Sequence, residues 1–578
     1  MFENGDLILR YLERLGVEYV FGVPGGSIEP FYNALARSER RGGIRAITAR
    51  HETGAAFMAE GYARETGKLG VCCSTAGPGA TNLITGVASA YAEDIPMLVI
   101  SAQTSLERFG QGSLQETSCT SINTVEMFSH CTRYSTLVSH SAQLEPKLLQ
   151  AISHALSNQP GPAHLGIPLD IMRQPVPVLS DEGGLRAFVN HDVAPNPECL
   201  QQLYNKLANV SKVTLVLGEG AASSVDILIA LAEARGWQIV TTPRGKGLID
   251  SNHALYRGVF GFAGHDSAAE ALKPINAERV IAVGTALDEV STSGWDPTAI
   301  LSGRLIHLSH NPGHLIRSTI ACLVILGSPK LVLEPVAKML SLESKHNSNP
   351  NPGIPPNRSD GLPTKTTLSD RSKCLVEIGE IKPQALMTYM SHACPQSTRV
   401  LFDSGNSLLW GIHYWNIRRS ASTYPDKNLF NIGLGFGSMG WAIGAAVGMA
   451  AGAHGAPVVC FVGDGSYLMA GQEITTALQE NLNLLVVVLN DSSLGTVRHG
   501  QVLSGGEAIG NKLPKINFAQ LAHSMGVESY RLETMEELRV LDVSAILSRP
   551  GACLLDVVVS GDEVPPMGAR MKMLTGVA

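Results

Sequence analysis

Charged residues are scarce in this sequence: they make up 16% of its 578 residues, against roughly 25% in an average soluble protein. With 44% hydrophobic residues and a mean hydropathy of +0.10, the chain has large interiors to bury, which excludes a mostly disordered protein. Long apolar runs are missing as well. Met97–Ile100 and Leu484–Leu489 fall far short of the ~20 residues of a membrane span. The opening stretch MFENGDLILRYLERLG carries acids and neither an apolar core nor a small-residue cleavage site, so no secretory leader is expected. There is no basic excess either; a net charge of −7 argues against a nucleic-acid partner. The ten cysteines form no Cys-x-x-Cys and no Cys/His set at zinc spacing. Cys72 and Cys73, inside the apolar run VCCST, read as buried thiols. A reducing, cytoplasmic compartment is the expectation.

What is present is a repeated alternation. Short β-branched runs recur at 71–75, 97–101, 213–217, 238–242, 279–284, 399–402, 458–462 and 484–489, with Ala-rich helical stretches between them. Such runs suit strands covered on both faces of a parallel sheet. The fold class is therefore α/β, with three doubly wound parallel-sheet domains. Two polar stretches, Leu179–Pro197 and the proline-rich Ser341–Lys373, read as spacers. The expected domains are 1–178, 195–335 and 375–560, with a linker at 341–373 and a tail at 561–578.

Residues 458–495, VVCFVGDGSYLMAGQEITTALQENLNLLVVVLNDSSLG, are the most informative. They read as strand, glycine turn, helix, strand and polar turn. Gly463-Asp464-Gly465 puts a carboxylate at the carboxyl end of a strand, where open α/β sheets bind ligands. Asn490-Asp491 ends the next strand, so two oxygen-bearing groups can converge. Hard oxygen ligands suit Mg²⁺, which completes its shell with water and substrate phosphates. On the residues alone, an ordinary turn remains the competing reading.

This segment resembles the thiamin diphosphate (ThDP) motif, and further matches extend over nearly the whole chain. FGVPGGSIEPF (21–31) and the run from Ile47 to Asn82 resemble the pyrimidine-binding domain of the acetolactate synthase superfamily. DSGNSLLWG (403–411) and IGLGFGSMGWAIGAAVG (432–448) resemble its diphosphate-binding domain. The resemblance implies the domain order pyrimidine-binding, central, diphosphate-binding. It implies Mg²⁺ on Asp464, Asp491 and the Ser493 carbonyl, with Asp491 standing where the family has Asn. It assigns Glu52 to the cofactor's N1′, as the group driving its imino tautomer. Gln115, in SLQE (113–116), would touch the bound intermediate. Gly26, Gly79, Gly405, Asn406, Ser407, Gly437, Gly463, Gly465, Ser466 and Gly495 would line the cofactor, and Met439 would wedge it into its bent form.

Departures from the family narrow the reading. In acetolactate synthases the central domain binds FAD, but this chain has Ala286 and Val290 in place of two arginines, and Ser309 and Asn311 in place of two acids. FAD is expected to be absent, although backbone around Gly218–Gly220 could still hold a nucleotide such as ADP. The family's Trp after the metal turn is missing from Gly495-Thr-Val-Arg498-His499-Gly-Gln. There, Arg498 and His499 are candidates for a polar acceptor. The resemblance thus implies a carboligase that decarboxylates a 2-oxo acid such as pyruvate, the thiazolium acting as electron sink, and passes the C2 unit to a second carbonyl or enone. Its active sites would lie between subunits of a homodimer or homotetramer. The alternatives are acetolactate synthase itself, a 2-oxo acid decarboxylase, a flavin-dependent pyruvate oxidase type, and a non-enzymatic ThDP-binding regulatory subunit.

Overall fold

The computed structural model describes residues 2–176, 193–346, 366–419, 427–568 and 571. The stretches 177–192 and 347–365, which fall almost wholly within the two expected spacers, and most of the tail beyond 568 lie outside the described residues.

Three six-stranded sheets follow one another along the chain. The first contains β1 (Tyr19–Gly22), β2 (Arg45–Thr48), β3 (Gly70–Ser74), β4 (Met97–Gln103), β5 (Tyr134–Leu137) and β6 (Pro162–Pro168), ordered 2-1-3-4-6-5. The second contains β7 (Val213–Leu217), β8 (Gln238–Thr241), β9 (Tyr256–Val259), β10 (Arg279–Val283), β11 (Leu305–Ser309) and β12 (Leu323–Leu326), ordered 12-11-10-7-8-9. The third contains β13 (Arg399–Phe402), β14 (Phe430–Ile432), β15 (Val458–Gly463), β16 (Leu484–Asn490), β17 (Glu528–Leu532) and β18 (Ala552–Val558), ordered 14-13-15-16-18-17. Strand pairing is parallel throughout. The α/β expectation holds, and all eight runs singled out from sequence are strands. First and third sheets share one topology, each reversing direction between its second and third strands in space. Such a reversal opens a crevice at the carboxyl ends of the strands.

Seven helices frame the crevices and the junctions between sheets: α1 (Glu52–Thr66), α2 (Pro78–Ala92), α3 (Pro329–His346), α4 (Asn406–Tyr414), α5 (Trp441–Gly452), α6 (Asp464–Ala470) and α7 (Gly495–Leu503). Helix α3 carries the chain into the stretch expected as the second spacer. Among the described residues, no helix is long and apolar enough to cross a membrane.

The first and third sheets meet through α1 and α5. Every residue of α5 is buried, as its all-apolar sequence WAIGAAVGMAAG demands. Glycines set how closely the two helices approach. A Cβ on Gly61 would lie 1.9 Å from the Ala445 carbonyl oxygen, and one on Gly448 would lie 1.8 Å from that of Met58. Neither clash can be relieved by turning a side chain, because each involves backbone. Gly448→Ala should therefore force the helices apart and cost at least about 1–3 kcal/mol. The expected outcome is a clearly lower midpoint in thermal unfolding followed by circular dichroism; an unchanged midpoint would mean that the helices separate freely.

Candidate cofactor site

The reversal point of the third sheet lies between β13 and β15, and their ends carry Asp403-Ser404-Gly405 and Gly463-Asp464-Gly465. Gly405 has φ +125° at the start of α4, a conformation that only glycine adopts without strain. The helix N-terminus beyond it offers unpaired backbone N–H groups of the kind that bind phosphates. Next to it, the Thr496 hydroxyl donates to Asn406 Oδ1 at 2.7 Å. A Cβ on Gly495 would meet Asn406 Nδ2 at 2.5 Å and Asp491 Oδ2 at 2.8 Å. Asn406, Asp491, Gly495 and Thr496 thus form one small polar group. Ser407 faces inward instead, its hydroxyl donating to the Asp403 carbonyl at 2.9 Å.

The two acids converge as their spacing implied. The Ser493 N–H is shared between Asp464 Oδ2 at 3.2 Å and Asp491 Oδ1 at 3.1 Å. Asp464 Oδ1 also accepts from the Gly465 N–H at 2.7 Å. Burial, reinforced by the neighbouring Asp491, pushes the Asp464 carboxyl up to about 7. Burial likewise pushes Asp491 up to about 6, with Arg498 pulling the other way. Two buried carboxylates this close favour either bound protons or a cation between them. No group of three or more His, Cys, Asp or Glu side chains suited to a metal occurs among the described residues, so the remaining ligands of a cation here would be backbone, water or phosphate oxygens. That donor set fits Mg²⁺.

Met439 stands over this site between Gly437 and Gly440, both at positive φ. It is 37% exposed, and its Cε lies 3.5 Å from where a Cβ of Gly465 would be. Space is open beside Gly26, Gly437 and Gly463, where an added Cβ would meet nothing within 4 Å. Ser466 is buried. The loop holding Met439 is anchored by Asp403, whose oxygens accept from Gly440 N–H at 2.7 Å and Ala442 N–H at 3.3 Å. Burial pushes that carboxyl up to about 6.

On the first sheet, Glu52 opens α1 behind the N-cap His51, whose ring nitrogen accepts from the Thr53 N–H. Asn82 Nδ2 donates to Glu52 Oε2 at 3.0 Å. The other oxygen, Oε1, lies 3.3 Å from where a Cβ of Gly79 would be, so glycine there leaves the carboxylate approachable. Gln115 is exposed at φ +60°. It packs against Gly77, where an added Cβ would sit 2.7 Å from Gln115 Cβ.

Three residues of the site were not singled out from sequence: Asn82, Asp403 and Glu473. Glu473 reaches across from the third sheet and accepts from the N–H groups of Arg50 at 3.0 Å and His51 at 2.9 Å. Burial pushes it up to about 7. Arg498 donates to the Gly561 carbonyl, while the buried His499 lies between Gly561 and Asn406, 3.3 and 3.4 Å away.

In the central sheet, at the carboxyl ends of β7 and β10, the Gly220 N–H donates to the Gly284 carbonyl at 2.9 Å and the Gly218 N–H to that of Val283 at 2.9 Å. Ser309 and Asn311 are buried and turn to the protein's own groups, Asn311 donating to Asp94 at 3.0 Å.

Three family descriptions match the chain. They are the N-terminal TPP-binding domain of thiamine pyrophosphate enzymes over residues 2–124, their central domain over 200–336, and their C-terminal TPP-binding domain over 403–557. An acetolactate synthase of Arthrospira platensis is 31% identical over 96% of this chain and 94% of its own length. The acetolactate synthase large subunit of Lactococcus lactis is 29% identical over 98% and 94%. That of Escherichia coli isozyme 2 is 29% identical over 98% of both.

Proposed function

Because the chain belongs to the thiamine pyrophosphate enzymes of the acetolactate synthase type, we propose that it is a ThDP- and Mg²⁺-dependent, flavin-free carboligase. It would decarboxylate a 2-oxo acid, pyruvate first among them, and pass the C2 unit to a second carbonyl or enone acceptor. The observation carrying this reading is the convergence of Asp464 and Asp491 on one N–H, beside the open N-terminus of α4.

ThDP, when bound, supplies the electron sink for decarboxylation. The chain's own groups do the rest. Asp464, Asp491 and the Ser493 carbonyl would hold Mg²⁺ against the diphosphate. Gly405 and Asn406 would receive the diphosphate oxygens at the helix N-terminus. Met439 would supply the apolar wedge, and Glu52 would exchange a proton with the aminopyrimidine. Asn82 keeps one Glu52 oxygen occupied, so the proton moves at Oε1. Gln115 would face the reacting carbon from the neighbouring loop. These groups divide between the first and third sheets, and Leu114, Phe436 and Met439 beside them are exposed apolar residues. This supports a homodimer, or a tetramer built from it, in which two chains complete each site.

The second reading, acetolactate synthase itself, rests on the names its relatives carry. Against it stands the family's Trp after the metal turn, which is missing from this sequence. Purified protein, ThDP and Mg²⁺ should be incubated with pyruvate and a panel of aldehydes, enones and 2-oxo acids, and the products read by mass spectrometry. The expected result is a cross-coupled product from a colourless enzyme without added FAD. Acetolactate as the sole product would favour the second reading, and a stoichiometric yellow cofactor released on denaturation would overturn the flavin-free one.

A further inference from the structure

A buried ionic hub lies where the three sheets meet. Glu93 follows α2 and is inaccessible to solvent at its side chain, yet three positive or donor groups from three directions converge on it. Arg64 of α1 reaches Glu93 Oε2 at 3.3 Å and Glu60 Oε1 at 2.9 Å, with its guanidinium 5.3 Å from the Trp441 ring centre. Arg244, in the loop after β8, places Nε 2.9 Å from Glu93 Oε2 and Nη1 2.6 Å from Asp288 Oδ2. The Gly435 N–H donates to Glu93 Oε1.

Burying such a group is costly unless every member is paired, and a buried ion pair is poor evidence for added stability. Its geometry points to a different role. Gly435 belongs to the loop that carries Met439, and the far end of that loop is held by Asp403 through Gly440. The loop is thus clamped at both ends, with open space beside Gly437 between them. Arg244 also accepts, at its carbonyl, from Asn428 Nδ2 at 2.6 Å, so it grips the third sheet a second time.

We propose that Arg244 is a positioning residue: by orienting Glu93 it fixes the Gly433–Gly440 loop and hence the seat of Met439 against ThDP. Through this side chain the central domain would act on the seat of the cofactor. The inference rests on the ThDP reading. A neighbouring junction provides an internal control. Asp94 joins the same two domains by accepting from Arg133 at 2.6 Å, Asn311 at 3.0 Å and His314 at 3.0 Å, and none of these partners belongs to the Met439 loop.

The test compares Arg244→Met, Arg244→Lys and Asp94→Asn in the full-length protein with Mg²⁺. ThDP dissociation constants come from calorimetry, the ThDP KM and kcat from turnover, and Tm from thermal unfolding. Arg244→Met should weaken ThDP binding at least about tenfold, some 1.4 kcal/mol. Arg244→Lys, able to meet one carboxylate but not both, should fall between it and the wild type. Asp94→Asn should lower Tm while leaving ThDP affinity unchanged. Wild-type ThDP affinity in Arg244→Met, or an equal loss in Asp94→Asn, would overturn the inference. If Arg244→Met does not fold, Arg244→Lys decides: unchanged ThDP affinity and KM overturn it. A wild-type protein that binds no ThDP would instead sink the functional reading beneath it.

Discussion

Replacing Glu52 by Gln is expected to leave folding and ThDP binding intact while slowing turnover by about 10²–10⁴-fold, the usual worth of one general acid or base. The substitution is isosteric. A Gln oxygen can still accept from Asn82, which sits 3.0 Å from the carboxylate, so α1 keeps its opening turn. What is lost is the ability to take up and release a proton at the oxygen facing Gly79. Turnover is measured at saturating ThDP, so that weakened binding cannot mimic the effect. Near-native rates there would remove Glu52 from the mechanism.

The second large effect concerns the paired acids. Asp464→Ala should abolish tight ThDP binding in calorimetry, because the cation that joins protein to diphosphate loses its buried anchor. Asp491→Asn should be mild, since an amide oxygen is also an acceptable ligand and the two acids then no longer repel. The direction of the shifts sets the pH dependence. Burial raises both groups from an ordinary value of 3.8 to about 7 and about 6. The folded, metal-free protein therefore holds protons that the unfolded chain releases, so its stability should decline as pH rises from about 4 to about 7. Mg²⁺ must displace those protons; its affinity should fall as pH drops below about 7. Chelation that leaves ThDP affinity unchanged would refute the metal assignment.

The parts of this architecture that could be read from sequence are those decided locally. The eight runs recognised as strands lie mostly inside their sheets, where both faces are covered and the sequence is continuously apolar. Edge strands such as β2, RAIT, and β17, ESYRL, are short and half-exposed, so they carry no such signal. Asp464 and Asp491 were legible because one helix and one strand fix their separation. Glu473 was not, because it meets Arg50 only through tertiary packing across 423 positions of sequence. Arg498 and His499 have partners hidden from the sequence for a related reason. They come after the metal turn in sequence, but α7 directs them towards the Gly561 carbonyl, which no local pattern announces.

The crossing of α1 and α5 has a consequence for anyone comparing homologues. Gly61 on one helix, and Gly444 and Gly448 on the other, each leave a gap of less than 3 Å from a would-be methyl group to the opposite helix, and a methyl group on Gly54 would lie 2.2 Å from the Glu473 carboxylate. Any single-base change at a glycine codon that alters the amino acid adds at least that methyl group. Variant libraries and natural lineages alike should therefore be depleted at these four columns as sharply as at Glu52. A survey that ranks columns by invariance would then place four packing glycines among the active-site residues. Invariance at this helix pair measures the separation of two backbones, and says nothing about contact with a substrate.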